Sequence, residues 1–441
     1  MLDRFLFRRI DNSPLIAFRV FFGILISLEC FGAIATGWVR RTLVEPDFTF
    51  SFIGFEWLQP LPGPGMYGYF VLMGTLGLFI AAGYKYRFSI IGFTILWTGV
   101  YLMQKTSYNN HYYLLIIISF FMCWFPAHRD FSLDARARPE IRAQSMHSYI
   151  KWIVVLQLFI VYTYAAIAKI YGDWLDLSFI KLLMQTKADY YLIGDWLQQQ
   201  WVIKAVRAIG ILFDLLIVPA LLWKPSRKIA FICSIGFHLF NSIVFQIGIF
   251  PYLSLAFTLF LFEPETVRKI FFRNKPPLLI ERVDRPSLRN YIILGWGVFL
   301  LIQLLLPLRH HLFRDDVLWT EEGHRMSWRM MLRSRTGQIQ FRVVDKATGG
   351  SSFINPGDYL SRKQSLRMPA YPDFIWQFAQ RLRREYAKQG KDVAVYVKSK
   401  VSINGRPMRP FIDPKTDLAS EPWQHFKHHE WILPSRLENP K

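Results

Sequence analysis

The sequence predicts a polytopic α-helical membrane protein of about nine spans with a C-terminal α+β soluble domain. Three observations carry this. Nine apolar stretches fill the first 308 residues, the short loops between them hold a one-sided excess of Lys and Arg, and the composition turns polar from about residue 309. With 441 residues, mean hydropathy +0.19, 52% hydrophobic and 17% aromatic residues, the chain is too apolar for an ordinary soluble domain and too polar at its end for a bare bundle of spans.

Counted at about 20 residues per crossing, the stretches are roughly 15–36, 66–83, 88–104, 110–126, 149–169, 204–223, 228–246, 249–262 and 291–308. The eighth is short, so it is tilted, broken or re-entrant. Arg4, Arg8 and Arg9 precede the first stretch, which is long and lacks a small-residue cleavage site, so it reads as a retained span.

Loop charge sets the expected orientation. The N-terminus and the loops after the second, fourth, sixth and eighth stretches hold Arg4, Arg8, Arg9, Lys85, Arg87, Arg129, Arg136, Arg138, Arg142, Lys224, Arg227 and Lys228, with seven more Lys and Arg between 268 and 289. The opposite loops hold Arg40, Arg41, Lys105, Lys181 and Lys187. Positive loops stay inside, so the N-terminus is expected in the cytoplasm and the C-terminal domain outside or in a lumen. This accounts for much of the formal charge of +21 without nucleic acid.

The expected domains are 1–308, helical and in the membrane, and 309–441, soluble. In the second, strand-like runs at Gln338 to Val344 and Val393 to Ile403 and a helical run over 372–389 are separated by turn signals at Thr348-Gly349-Gly350, Asn355-Pro356-Gly357 and Asn404-Gly405. Its basic residues are spread over strands and helix alike, with no stripe for nucleic acid. Cys30, Cys123 and Cys233 all lie in spans, which excludes a disulfide framework. No CxxC, HExxH, GxGxxG, Walker A or GxSxG motif appears, and no metal is expected.

Polar residues inside spans are costly and mark function or packing. Lys169 ends the fifth stretch beside Ala165, Ala166 and Ala168, where it either snorkels to the headgroups or is held out of water. Asn109, Asn110 and His111 open the fourth stretch, as an interfacial belt with Tyr108, Tyr112 and Tyr113 or as a site. His238 and Asn241, three apart in the seventh, share one helical face, as interhelical glue or as ligands. The topology puts all of them at one depth, beneath the soluble domain, so Lys169, Asn110 and His111 are expected to line one apolar cavity opening toward it. A buried lysine there loses hydration of its charged form and can act as a base toward a lipid-soluble ring. Asp173 and Asp176 either pair with Lys169, which opposes base function, or cap the following turn. Glu321 and Glu322 ahead of His324 read as a metal or acid–base cluster or, since the spacing fits no zinc pattern, better as a solvated loop, and His425, His428 and His429 as surface residues.

Six segments, in order, resemble the vitamin K-dependent γ-glutamyl carboxylases. They are SYNNHYYL at 107–114, AAIAKIYGDWL at 165–175, FHLFNSIVFQIGIFPY at 237–252, SWRMMLRSR at 327–335, FINPGDY at 353–359 and VSINGRPMRPFIDP at 401–414. Short chains of this kind also occur in the HTTM membrane family. The resemblance implies a reaction in two halves: a lysine deprotonates vitamin K hydroquinone (or menaquinol), and O2 uptake yields a base strong enough to remove a γ-proton from a peptide glutamate. CO2 then adds to the carbanion as the quinone leaves as its epoxide. A base of that strength has to form away from bulk water. By motif position, Lys169 matches the family's base and Asn110 with His111 the pair that assists it. Asn109, His238 and Asn241 join them around the quinol, while Trp328, Arg335 and His310 fall to the glutamate substrate. Arg329 and Arg333 depart from the pattern, standing where the animal enzyme has an aspartate and a histidine.

The resulting expectation is an integral-membrane carboxylase and epoxidase. It uses a vitamin K-type quinol, O2 and CO2 on a glutamate-containing peptide or protein, in contact with the lipid bilayer. The alternatives are a quinol-binding or quinol-oxidising protein without carboxylation, and a non-catalytic membrane assembly protein of the same fold.

Overall fold

The computed structural model describes residues 2–278 and 282–435; residues 436–441 of the expected second domain lie outside the described residues. The N-terminal region is largely helical, and among the described residues seven helices are long and apolar enough to cross a membrane. In chain order these and two shorter apolar helices are α1 Ser13–Ala35, α2 Gly65–Ala82, α3 Tyr86–Met103, α4 Asn110–Trp124, α5 Tyr149–Ala168, α6 Gln200–Leu222, α7 Arg227–Phe245, α8 Phe250–Phe260 and α9 Arg289–Leu312.

The nine expected stretches therefore all become helices, but two fall short of membrane length. The 15 residues of α4 rise only about 22 Å, less than the roughly 30 Å of a hydrocarbon core. It begins at Asn110, where the stretch was expected to begin, with Asn109 as N-cap accepting from the Tyr112 amide at 2.8 Å, and it ends at Trp124, ahead of Pro126. The helix α8 is delayed by the loop Gln246–Ile249, where Gln246 and Gly248 take the left-handed conformation.

Small residues set the tightest packing. A Cβ added at Gly23 of α1 would lie 2.4 Å from the Ala81 amide of α2, so these two backbones touch and only glycine fits. Ser27 adds a 2.7 Å hydrogen bond to the Gly74 carbonyl across the same seam.

The basic loops gather at one face. Two short strands, β1 Arg9–Asp11 and β2 Ser145–His147, pair antiparallel there, Arg19 donates to the carbonyls of Ala127 and Phe131, and Lys275 lies 2.8 Å from Asp11. The C-terminal region covers the opposite face. Its four-stranded antiparallel sheet has the order β4-β3-β5-β6, with β3 Arg335–Asp345, β4 Ser351–Ile354, β5 Val393–Ile403 and β6 Arg409–Pro410. The register runs from Arg335 opposite Ile403 to Asp345 opposite Val393. Alternate residues of β5, Val393, Val395, Val397 and Val401, are buried against α10 Pro372–Ala387 through Phe374 and Phe378.

That core is not made by the C-terminal region alone. Phe50, from the loop after α1, is fully buried in it and stacks on Phe374 at 4.9 Å. Gln377 donates to the Ser51 carbonyl at 3.0 Å, and Lys105, after α3, lies 2.5 Å from Asp373 of α10.

Candidate active site

Lys169 caps the C-terminus of α5, and its side chain turns back into the protein. Its Nζ lies 2.5 Å from Asp214 Oδ2 of α6, donates to the Ala165 carbonyl at 3.3 Å and sits 5.6 Å from the Trp174 ring centre. Lysine and aspartate are 7% and 6% exposed. The ammonium therefore does not snorkel. Its partner is neither of the aspartates that follow it in sequence: Asp173 accepts from Asn404 and Arg406 of the C-terminal region, and Asp176 caps the Ser178 amide at 2.8 Å. Gly210, one turn before Asp214, lets α6 approach Trp174, since a Cβ there would meet the indole at 2.9 Å.

The pair lies in the wall of a cavity of about 820 Å³ between α5, α6 and α7. Phe213, Ile217, Phe237 and Phe250 make it apolar, and Lys169, Asp214, His111, Tyr162, His238 and Asn241 are among its polar members. His238 Nε2 is 3.3 Å from Tyr162 Oη, and the His111 ring stacks on Phe250 at 3.8 Å. Ile209, Leu212 and Leu216 of α6 and Ile229 of α7 also line it while exposed on the outer surface of the helices. The cavity therefore opens among exposed apolar side chains.

A second cavity, of about 760 Å³, lies between the helices and the C-terminal region. Asn109, Asn110, Lys105, Glu29, Glu321, His324, Arg325, Arg329 and Arg333 line it, and His111, Ile247, Phe250, Met330 and Met331 line both cavities. The expected single cavity is thus two. Lys169 belongs to the apolar one, Asn109 and Asn110 to the polar one, and His111 to their common wall. Asn110 is fixed by accepting from Tyr108 Oη at 2.8 Å and donating to the Arg329 carbonyl at 3.2 Å. Asn109, occupied as a helix cap, has a structural duty that the residue pattern did not reveal.

The arginines of the polar cavity differ in their partners. Arg325 bonds Asp373 at 2.9 and 3.2 Å, and Arg333 bonds Glu321 at 2.5 Å through each of two nitrogens. Arg329 has no carboxylate partner among the described residues, and its Nε is buried without an acceptor. Burial lowers the Arg329 pKa, opposed by the charge of Asp316. Burial, reinforced by the surrounding arginines, holds His324 well below the ordinary histidine range, so its imidazole is neutral.

Three expected substrate residues line neither cavity. Trp328 is buried in the core, stacked on Tyr113 at 5.0 Å. Arg335 donates to the carbonyls of Leu318, Trp319 and Ala370 and lies 3.5 Å from Glu321, with Nη2 buried and unbonded, and His310 Nδ1 contacts the Pro307 carbonyl at 2.7 Å. The stretch read as a solvated loop is buried: Glu321 holds Arg333, and Glu322 lies within 2.9 Å of both His428 and His429. His429, read as a surface residue, is buried as well. Among the described residues no group of three His, Cys, Asp or Glu stands ready for a metal.

Asp214 and Glu29 were not singled out by sequence reasoning. Each is an acid inside an apolar stretch, which is itself the signal. Glu29 accepts from Tyr112 Oη at 2.9 Å in the wall of the polar cavity.

Against known families, residues 7–265 match the HTTM domain and residues 288–438 match the vitamin K-dependent gamma-carboxylase, lumenal domain. No solved structure matches the chain.

Proposed function

From the premise that this chain belongs to the HTTM domain family and has the domain architecture of a vitamin K-dependent gamma-carboxylase homologue, we propose that it is an integral-membrane carboxylase. It would couple oxidation of a vitamin K-type quinol by O2 to CO2 addition at a peptide glutamate. The observation that carries this reading is the pair of cavities sharing one wall, an apolar one holding Lys169 and a polar one lined by arginines.

A prenylated ring suits the apolar cavity in size, since pockets of roughly 300–1,000 Å³ take drug-sized ligands, and in chemistry, with aromatic walls and a few polar groups on one side. Vitamin K hydroquinone, consumed as a co-substrate, supplies the electrons that O2 takes up. Lys169 holds the position from which a ring hydroxyl proton can be removed, while His111, His238 and Asn241 orient the ring oxygens. The aliphatic and aromatic lining excludes water from that step. On the other side of the wall, Arg329 offers an unpaired guanidinium to a glutamate carboxylate. The lateral mouth admits the quinol from lipid, and the polar cavity receives the peptide from the aqueous face.

The orientation belongs to the same proposal. Residues 1–308 would form the membrane domain, with the N-terminus cytoplasmic, and 309–441 the non-cytoplasmic domain. The gathering of basic loops at the face away from the C-terminal region supports it. One observation favours a second reading, quinol oxidation without carboxylation: Trp328, Arg335 and His310 lie outside both cavities.

The test is incubation of the purified protein with vitamin K hydroquinone, O2, labelled bicarbonate and a glutamate-containing peptide, beside Lys169→Ala. Epoxide together with labelled peptide, both lost in the variant, is expected. Epoxide with unlabelled peptide selects the second reading, and quinol left intact by the wild type overturns both.

A further inference from the structure

Lys169 as it stands is a poor base, because an ammonium has three protons and no acceptor. We propose that Lys169 and Asp214 work as one unit in which Asp214 takes the lysine's own proton, so that the amine is free to accept another from a bound hydroxyl. This rests on the reading of the apolar cavity as the quinol site.

The geometry puts one proton within reach of both atoms. Nζ and Oδ2 are 2.5 Å apart, both groups are more than nine-tenths buried, and both line the apolar cavity. Among the described lining residues Asp214 is the one carboxylate and Lys169 the one amine. The other titratable groups facing this space are His111, Tyr162, His238 and Cys233, and none bonds Asp214.

Charge decides where the proton goes. If Lys169 released it to bulk water, a bare carboxylate would remain in an apolar chamber, at the full cost of a buried unpaired charge. Moving it across to Oδ2 keeps the chamber neutral, since ammonium with carboxylate and amine with carboxylic acid carry the same net charge. In the complete step an O–H bond of the bound donor breaks and an N–H bond forms at Nζ, while one earlier N–H bond of Nζ is exchanged for an O–H bond at Asp214 Oδ2. The pair gains one proton and one positive charge. That charge sits on Nζ, facing the oxygen that has just become negative. The aspartate thus removes the objection that an ion pair opposes base function, since it is the place where the competing proton is kept.

The test has a readout that does not depend on turnover. Protein with isotopically labelled aspartate, in lipid nanodiscs and without O2, is mixed with vitamin K hydroquinone and followed by infrared difference spectroscopy. The complex is expected to show a protonated-carboxyl band that shifts with the label and is missing from Asp214→Asn. Deprotonation of the quinol with Asp214 still ionised overturns the proposal. In turnover, Asp214→Asn is expected to lose quinol oxidation by about 100-fold or more, the scale of general acid–base catalysis, while Asp214→Glu restores part of it. Quinol binding, read from quenching of the cavity tryptophans Trp174, Trp196 and Trp201, should persist in both variants and shows that they are folded. An Asp214→Asn protein that binds quinol and oxidises it within about threefold of wild type, a small part of what a catalytic proton transfer contributes, overturns the pairing alone. Wild-type protein that neither binds nor oxidises quinol overturns the functional reading beneath it.

Discussion

Lys105 and Lys169 each lie 2.5 Å from an aspartate oxygen, with both partners buried, yet their surroundings separate them. Asp373, the partner of Lys105, also receives two bonds from Arg325. Two cations on one carboxylate fix it as an anion and leave no site for another proton. The cluster joins the loop after α3 to α10 and so ties the membrane helices to the outer region. Asp214 has Lys169 as its one charged partner among the described residues, in a mostly apolar cavity whose other polar lining groups do not bond it. A lone pair in such a place can trade its proton internally, whereas a triad cannot. Two identical distances therefore serve two purposes, and the count of nearby charges tells them apart.

This contrast can be broken most decisively at Lys169. Replacing it with Ala should lower quinol oxidation by about 10²–10⁴-fold, measured as epoxide formed per minute, with quinol binding retained. The next effect concerns stability. Asp373→Ala leaves Lys105 and Arg325 buried without their carboxylate and should cost about 3–5 kcal/mol, read as a lower unfolding temperature and faster proteolysis at the junction. If the two substitutions produced the same phenotype, the distinction between a working pair and a structural triad would be lost.

Acid sharpens the same comparison. Burial alone would push the Asp373 carboxyl up, but the charges of Arg325 and Lys105 hold it down at about 2, below the ordinary value of about 3.9. A depressed carboxyl contributes stability that is complete above its ordinary value and is lost as pH falls through about 2. Burial pushes Lys105 down to about 8 against the pull of Asp373, so the lysine stays protonated over this whole range and the carboxyl sets the acid limit. Hydrogen exchange in α10 should stay slow down to about pH 4, near the ordinary carboxyl value, and quicken below it.

Smaller effects are expected farther out. Arg329→Gln should raise the KM for a glutamate peptide by about tenfold, the worth of one charge-assisted hydrogen bond, and raise the quinol KM less; steady-state kinetics with each substrate varied in turn separates the two. Asn109→Ala should cost about 1 kcal/mol, the usual worth of a helix cap, visible as a small drop in thermal stability.

Much of the fold was legible because it is written locally. Hydropathy located the helices, loop charge grouped their ends, and the alternation along Val393 to Ile403 located the central strand. The expected fourth stretch, 110–126, began at the right residue but ran past the end of α4, which stops at Trp124 ahead of Pro126. Lys169, His111, His238 and Asn241 were legible as a group because polar residues in apolar spans are few. What escaped was pairing across long stretches of chain. Lys105 looked like one more loop charge, since its partner is an aspartate in a different region, and Asp214 lies 45 residues beyond Lys169. Glu321 and Glu322 looked solvated, because their arginine and histidine partners come together through tertiary folding alone.

The burial of Phe50 against Phe374 has a practical consequence for anyone wishing to cut the chain. A recombinant fragment beginning near residue 309 would carry α10 with a bare aromatic face, and with Gln377 and Asp373 deprived of Ser51 and Lys105. Such a fragment should clump in solution. Supplying the segment around Phe50 as a separate peptide offers a route to keeping it dissolved.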